Sequence, residues 1–327
     1  MWVTGLGSTS IADDQWKDIL RVFTHEAFTK RINQSIAGTY TRDGDSLYFK
    51  PNFPFAPGET YHAMFGKLEL TFSIPKQKTT ATVVDDVHPQ ASTLPENVLR
   101  MYITFSKPMM PGEAYDHITL LSENGTRIDK AFLVIDQELW DPERKRFTLL
   151  IDPGRVKRGI QSNVDLGPPI RAGQTYKLII DSDWRDANGN FLESNYVKTF
   201  TVSTAERTKL TVSDLKVTAP EAGTSGDLII KFNRPIDYAL AARCISVKAL
   251  QSGKVKGKAT LIGSNYWRFV PEQPWPEDQY YIEVDPRLED VAGNNFNNAF
   301  DIDLSREKRQ RSTEPIKIPF SVGRLPK

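Results

Sequence analysis

The chain has 327 residues, 39% hydrophobic and 25% charged, with 42 Lys plus Arg against 41 Asp plus Glu. That balance offers no global field for nucleic acid or an anionic membrane, and the single cysteine, Cys244, excludes an intrachain disulfide framework. No run approaches the roughly 20 apolar residues that span a bilayer as a helix, and Asp13, Asp14 and Lys17 break up the N-terminal stretch, which does not read as a signal peptide.

Taken in order, apolar alternation predicts strands at 61–65, 68–74, 100–105, 147–151, 176–180, 198–202, 210–212, 227–232, 245–250 and 280–284. Asp43-Gly44, Asn124-Gly125, Asn188-Gly189 and Ala292-Gly293-Asn294 punctuate them with residues that accept positive φ cheaply. With 21 prolines and 20 glycines spread along the chain, only 14–28 and 238–244 are expected to bend into helical turns. After a charged run at 306–312, alternation returns at 316–322, which is expected to close the last sheet as a strand.

Two phrases recur. The first is Ile19-Leu20-Arg21-Val22-Phe23, then Leu99-Arg100-Met101-Tyr102-Ile103-Thr104-Phe105-Ser106-Lys107-Pro108, then Leu228-Ile229-Ile230-Lys231-Phe232-Asn233-Arg234-Pro235. The second is a strand ending at Pro51, Pro153 or Pro271, followed by a polar stretch and a strand opening at Tyr61, Tyr176 or Tyr280. Because both recur in the same order, the chain reads as three copies of one all-β unit. The boundaries expected are 1–78, 79–205, which carries a long basic insertion, and 206–327. Several short strands per unit with regular turns match a two-sheet sandwich. In such a sandwich each tyrosine ring packs inward while its hydroxyl bonds backbone at the corner.

The order of a strand ending in Ser106-Lys107-Pro108-Met109, a Pro-ended strand, Gly173-Gln174-Thr175-Tyr176 and an Asp-x-x-Gly-Asn turn resembles the bacterial immunoglobulin-like domains of S-layer and other surface proteins. The turn is Asp186-Ala187-Asn188-Gly189-Asn190 in the middle unit and Asp290-Val291-Ala292-Gly293-Asn294 in the last. The first unit lacks it, running through Gly66-Lys67, and so reads as truncated or as sharing strands with its neighbour. The middle unit is also similar to a subgroup of exported, often lipid-anchored proteins, through Met110-Pro111-Gly112-Glu113-Ala114-Tyr115, Leu139-Trp140-Asp141-Pro142 and Ile151-Asp152-Pro153-Gly154-Arg155. The resemblance implies tandem immunoglobulin-like β-sandwiches in an extracytoplasmic setting, periplasm or cell surface, with the signal removed from this sequence.

Catalytic signatures are missing: there is no Gly-x-Ser-x-Gly elbow, phosphate-binding Gly-rich loop or His-Glu-x-x-His. Residues 152–174 form an insertion carrying Arg155, Lys157, Arg158 and Arg171, and the guanidinium groups of its arginines suit carboxylates or phosphates. Trp140 and Trp184 would supply a stacking face beside it. Asp181, Asp183, Asp186, Asn188 and Asn190 concentrate oxygen ligands that could serve calcium, although an ordinary Asx-rich hairpin turn explains the same run. The expectation is a non-enzymatic spacer or protein-interaction module of the cell envelope, its partner an envelope protein. The alternatives are a carbohydrate-recognition module for an acidic glycan, using Trp140, Trp184 and the basic insertion, and a hydrolase using Asp181, Asp183 or Asp186 with His117.

Overall fold

The computed structural model describes residues 2–4, 15–75, 80–251, 253–301 and 311–323, so most of the charged run at 306–312 lies outside the described residues. The chain is all-β and divides into two compact units, Met1–Thr80 and Ala81–Lys327.

In chain order the first unit holds β1 (Trp2–Thr4), α1 (Trp16–Ile19), β2 (Leu20–Thr24), α2 (His25–Thr29), β3 (Gly38–Asp43), β4 (Ser46–Pro51), β5 (Thr60–Phe65) and β6 (Leu68–Ser73). Two three-stranded sheets, β1-β4-β3 and β2-β5-β6, enclose a core of Trp16, Leu20, Val22, Leu47, Phe49, Tyr61 and Ala63. The period of two is visible in β4, where Leu47 and Phe49 are buried and Tyr48 faces out. The stretch expected to bend at 14–28 is a helical turn, a strand and a second turn. Leu20 and Val22 alternate into the core, and the Thr24 hydroxyl, accepting from the Ala27 N–H at 3.2 Å, starts α2.

The second unit begins with β7 (Val84–His88), β8 (Thr93–Pro95), β9 (Arg100–Phe105), β10 (Ile118–Ser122), β11 (Arg146–Leu150), α3 (Pro153–Val156), α4 (Gln161–Leu166), β12 (Thr175–Ile180) and β13 (Tyr196–Ser203). Sheets β11-β9-β7 and β10-β12-β13-β8 face each other across one hydrophobic core, all pairs antiparallel except β13 with β8. There follow β14 (Leu215–Thr218), β15 (Leu228–Phe232), α5 (Tyr238–Cys244), β16 (Ile245–Ala249), β17 (Gly253–Lys254), β18 (Gly257–Ile262), β19 (Tyr266–Pro271), β20 (Asp278–Val284) and β21 (Ile316–Val322). Sheets β14-β15-β19-β18 and β17-β16-β20-β21 sandwich another core, centred on Phe232, Trp267, Phe269, Trp275 and Ile282. The 316–322 segment pairs along the whole of β20, as its alternation predicts.

Two expectations change. Residues 210–212 are no strand: Leu210 is buried, and Thr211 with Asp214 forms a capping box around a 3-10 turn at Val212–Asp214, so pairing starts only at Leu215. The insertion is not a plain loop but holds α3 and α4. Asp152 accepts from the Gly154 N–H at 2.8 Å and Pro153 opens α3, an N-terminal helix signal written in the sequence.

All three strand-entry tyrosines sit at corners. Tyr61, Tyr176 and Tyr280 are 5%, 2% and 4% exposed. Tyr61 accepts from the Ala56 N–H (2.8 Å), Tyr176 from the Arg171 N–H (3.1 Å), and Tyr280 donates to the Pro276 carbonyl (3.0 Å).

Candidate functional site

The insertion is held from inside by the residue that looked most like a ligand-gripping arginine. Arg155 is 6% exposed. Its guanidinium donates to the carbonyls of Gly167 (3.0 Å), Asp129 (2.9 Å), Lys130 (3.0 Å) and Pro168 (3.4 Å), so it pins the loop and offers no surface charge. Burial lowers its pKa, partly offset by Asp152. Arg158 is mostly exposed but donates to Asp301 at 2.7 Å, a carboxylate that Arg207 also approaches at 3.4 Å. Lys157 is half-buried and Arg171 exposed. Between these cations the segment also shows Ile160, Val164 and Leu166, 39%, 68% and 50% exposed, an apolar component that reading for charge alone had missed.

The expected stacking platform is not formed. Trp184 is 0% exposed, edge-on to Phe105 at 5.2 Å in the core of the 81–205 region. Trp140 is half-buried against the same core and its indole N–H donates to Glu138 at 2.7 Å. Apolar burial of rings this large outweighs display, which is why tryptophans near a turn are poor markers of a binding face.

The Asp-rich run separates instead of converging. Asp183 hydrogen-bonds His117 at 2.8 Å. Asp181 gives its carbonyl to the Trp184 N–H at 3.3 Å. Asp186, 1% exposed, turns inward: it accepts from the Thr82 hydroxyl (2.7 Å), the Asn188 N–H (2.9 Å), the Asn190 N–H (3.0 Å) and the Asn190 amide. These donors occupy the carboxylate that calcium would need, and they lower its pKa although burial works to raise it. Among the described residues no group of three or more His, Cys, Asp or Glu is arranged to hold a metal. For the hydrolase alternative, His117 meets Asp183 but not Asp186.

The turn recurs bond for bond in the last sandwich. Asp290 accepts from the Ala292 and Asn294 N–H groups, both at 2.9 Å, and from the Asn294 amide at 2.9 Å. The Asp N–H bonds the Asn carbonyl four residues on, at 2.8 Å in each copy. The following residue, Ala187 or Val291, donates to Pro108 or Pro235 (2.9 and 3.2 Å). The residue before the turn accepts from the second residue after the proline: Arg185 from Met110 (3.1 Å), and Glu289 from Asp237 (2.9 Å).

At those last two positions the copies part. Asp237 and Glu289 receive Arg100 from β9, at 2.9 and 2.7 Å, and Asp237 also accepts the Tyr102 hydroxyl at 2.8 Å. Burial opposes the Arg100 charge, but Glu289 and Asp237 together hold its pKa above the ordinary guanidinium value, while burial and then Asp237 lift Tyr102. His88 stacks on Tyr238 of α5 with ring centroids 3.7 Å apart. The Ala91 N–H donates to Ser264 at 2.8 Å, and the Asn97 amide grips the Glu206 carbonyl at 2.6 Å. The Leu99 N–H bonds the Val291 carbonyl at 2.9 Å. The result is a largely buried polar joint between the two cores of the second unit. It was missed in the sequence, although one signal stood there: acids at 237 and 289 replace Met110 and Arg185 at matching places in the repeat.

No protein-family model matches this chain, and no curated protein sequence matches it. Among solved structures, native alpha-2-macroglobulin from Escherichia coli, domains MG0-NIE-MG1, is 8% identical over 74% of this chain and 72% of that one, with a TM-score of 0.25. The N-terminal part of the bacterial S-layer protein SbsC is 9% identical over 74% and 44%, with a TM-score of 0.27. The FN1-FN3 domains of chicken CNTN1 are 11% identical over 94% and 91%, with a TM-score of 0.21. At such values these likenesses carry no argument about what the chain does.

Proposed function

We propose that the chain is a non-enzymatic spacer of three immunoglobulin-like β-sandwiches, 1–78, 79–205 and 206–327, which works outside the cytoplasm and presents the 152–174 insertion to an envelope protein. The observation that carries this reading is the joint. Four side chains, Arg100, Tyr102, Asp237 and Glu289, fill the seam with charge-assisted hydrogen bonds of 2.7–2.9 Å, an arrangement that fixes orientation more than it adds stability. A module that only needed two beads on a string would have no use for it. The sequence resemblance to bacterial surface domains supports the compartment, and Lys157 and Arg171 beside Ile160, Val164 and Leu166 support the insertion as the presented face.

Rotational tumbling of the full chain, read by amide relaxation, tests the spacer. The cores at 81–205 and 206–323 should share one correlation time, and the Arg100→Met, Tyr102→Phe double variant should split it; two separate times in the wild type would end the reading. Capture from an envelope fraction tests presentation. A partner retained by the wild type should be lost by a Lys157→Ala, Arg171→Ala, Val164→Ala variant, and an unchanged profile would remove the insertion from the proposal.

A further inference from the structure

The sandwiches follow one plan, and the first is a strand short. In the other two, the strand that leads to the proline has a neighbour, and that neighbour has an outer neighbour of its own: β11-β9-β7 in the middle and β19-β15-β14 at the end. The outer strands each turn a valine into the core, Val87 and Val217. In the first unit β4 is followed by β1, and among the described residues nothing pairs with the other edge of β1. Leu20–Thr24, which aligns by sequence with β9 and β15, pairs instead with the tyrosine strand β5, where β10 and β16 stand in the other copies. The counterpart of β7 and β14 is therefore the strand that the first sandwich does not have.

The shortfall shows on the opposite sheet. Directly opposed residues of antiparallel strands share a face, so Phe72, Leu70 and Leu68 of β6, opposite Tyr61, Ala63 and Phe65, point to the core side. Phe72 packs on the core, yet Leu70 and Leu68 are 59% and 69% exposed. The counterparts on β21, which are Phe320, Ile318 and Ile316 opposite Tyr280, Ile282 and Val284, all pack on theirs. In both complete sandwiches the outer strand and the counterpart of β6 lie on one side. β8, joined to β7 by residues 89–92, pairs with β13, and the Ala222 N–H beyond β14 donates to the Gly323 carbonyl at the end of β21 at 3.2 Å. On that side the first sandwich has a bare edge on one sheet and an overhanging apolar strand on the other.

A bare edge and an overhang on the same side complement each other. We propose that this side joins the first unit to a second copy of the chain. The two-fold axis runs along the strands, each copy lays β6 against the other's β1, and both sheets continue as β3-β4-β1 followed by the second copy's β6-β5-β2. Leu68 and Leu70 of the two copies then meet in the seam, and the edges of β1 and β6 both gain main-chain hydrogen bonds. A single foreign strand would fill only the β1 edge, whereas a second copy occupies both edges at once in a contact that closes at two chains. Six residues of β6 and three of β1 from each copy make a small interface, at the low end of those that hold proteins together specifically, so the dimer is weak and concentration-dependent.

Sedimentation velocity of the full chain from about 1 µM to 1 mM tests this. The sedimentation coefficient should rise with concentration from the monomer's value to the dimer's. Leu68→Lys with Leu70→Lys, at positions open in the monomer, should raise the dissociation constant at least about tenfold and leave the thermal midpoint of the dilute protein unchanged. Leu70→Cys should be captured as a dimer by a short bismaleimide, since the one native cysteine, Cys244, is buried. Val134→Cys, exposed in the middle sandwich, should not, and this pair of variants decides the matter if the lysine protein does not fold. A monomer throughout the range, a dimer indifferent to the lysines, or equal capture of both cysteines would overturn the proposal. So would a monomer that binds a synthetic peptide of residues 213–219, because the groove would then take another protein's strand.

Discussion

The two Asp-x-x-Gly-Asn turns make the same hydrogen bonds and meet opposite surroundings. Around Asp186 the next three residues, Ala187, Asn188 and Gly189, are exposed; around Asp290 the next four, Val291, Ala292, Gly293 and Asn294, are buried. The electrostatic result reverses. Hydrogen bonds win at Asp186 and lower its pKa, whereas at Asp290 burial outweighs the Asn294 bonds and Arg234 and pushes the pKa up to about 6. The glycines diverge as well: both hold φ near +80°, but a Cβ on Gly189 would meet open space while one on Gly293 would lie 2.4 Å from Leu99. One motif thus serves as a loop closure at one end and as a docking socket at the other. What differs is the neighbour, not the motif.

Breaking the glycines should separate the copies most. Gly189→Ala carries only the left-handed backbone penalty, about 1–2 kcal/mol, whereas Gly293→Ala adds overpacking against Leu99 for a total of about 3–4 kcal/mol; denaturant midpoints of the two variants measure the gap. Equal losses would mean that the Leu99 contact yields freely.

The aspartates should differ in the sign of their pH response. With its folded-state pKa raised, Asp290 contributes stability that is complete below the ordinary carboxylate range and is lost as pH rises through about 6. Asp186, with its pKa lowered, contributes above that range and loses its contribution as pH falls. The melting advantage of wild type over Asp290→Asn should therefore shrink between about pH 4.5 and 7.5, by about 2 kcal/mol, while that over Asp186→Asn should grow or hold. Parallel trends would refute the contrast.

The smallest effect belongs to transplanted acids. Met110→Asp with Arg185→Glu gives the exposed turn the acidic pair of the buried one, and with no Arg100 opposite, stability should move by less than about 0.5–1 kcal/mol. A larger change would show that the acids act within their own sandwich and are not there for the joint.

Much of this architecture was legible as repetition. Tyr61, Tyr176 and Tyr280 announce their corners because a buried phenol needs a hydrogen-bond partner, and the corner backbone supplies one. The cation and tryptophan sites were not legible, because Arg155 and Trp184 look the same in sequence whether their polar atoms face solvent, backbone carbonyls or nothing. Deciding between those requires knowing that residues 129, 130, 167 and 168 converge on one guanidinium, a long-range fact with no local signature. The helices α3 and α4 lay within reach, since Asp152-Pro153 is a start signal, but their short length hid them.

The joint also sets an order on synthesis. Arg100 reaches Asp237 and Glu289 across sequence separations of 137 and 189 residues, so the sheet that carries Leu99, Arg100 and Tyr102 is complete well before its counterpart leaves the ribosome. Throughout that interval the growing chain carries an uncovered face with a charged guanidinium beside apolar side chains. Any fragment that stops short of residue 206 lacks every partner of that face, Glu206, Asp237, Tyr238, Ser264 and Glu289 alike, and keeps open an adhesive surface that the finished protein hides.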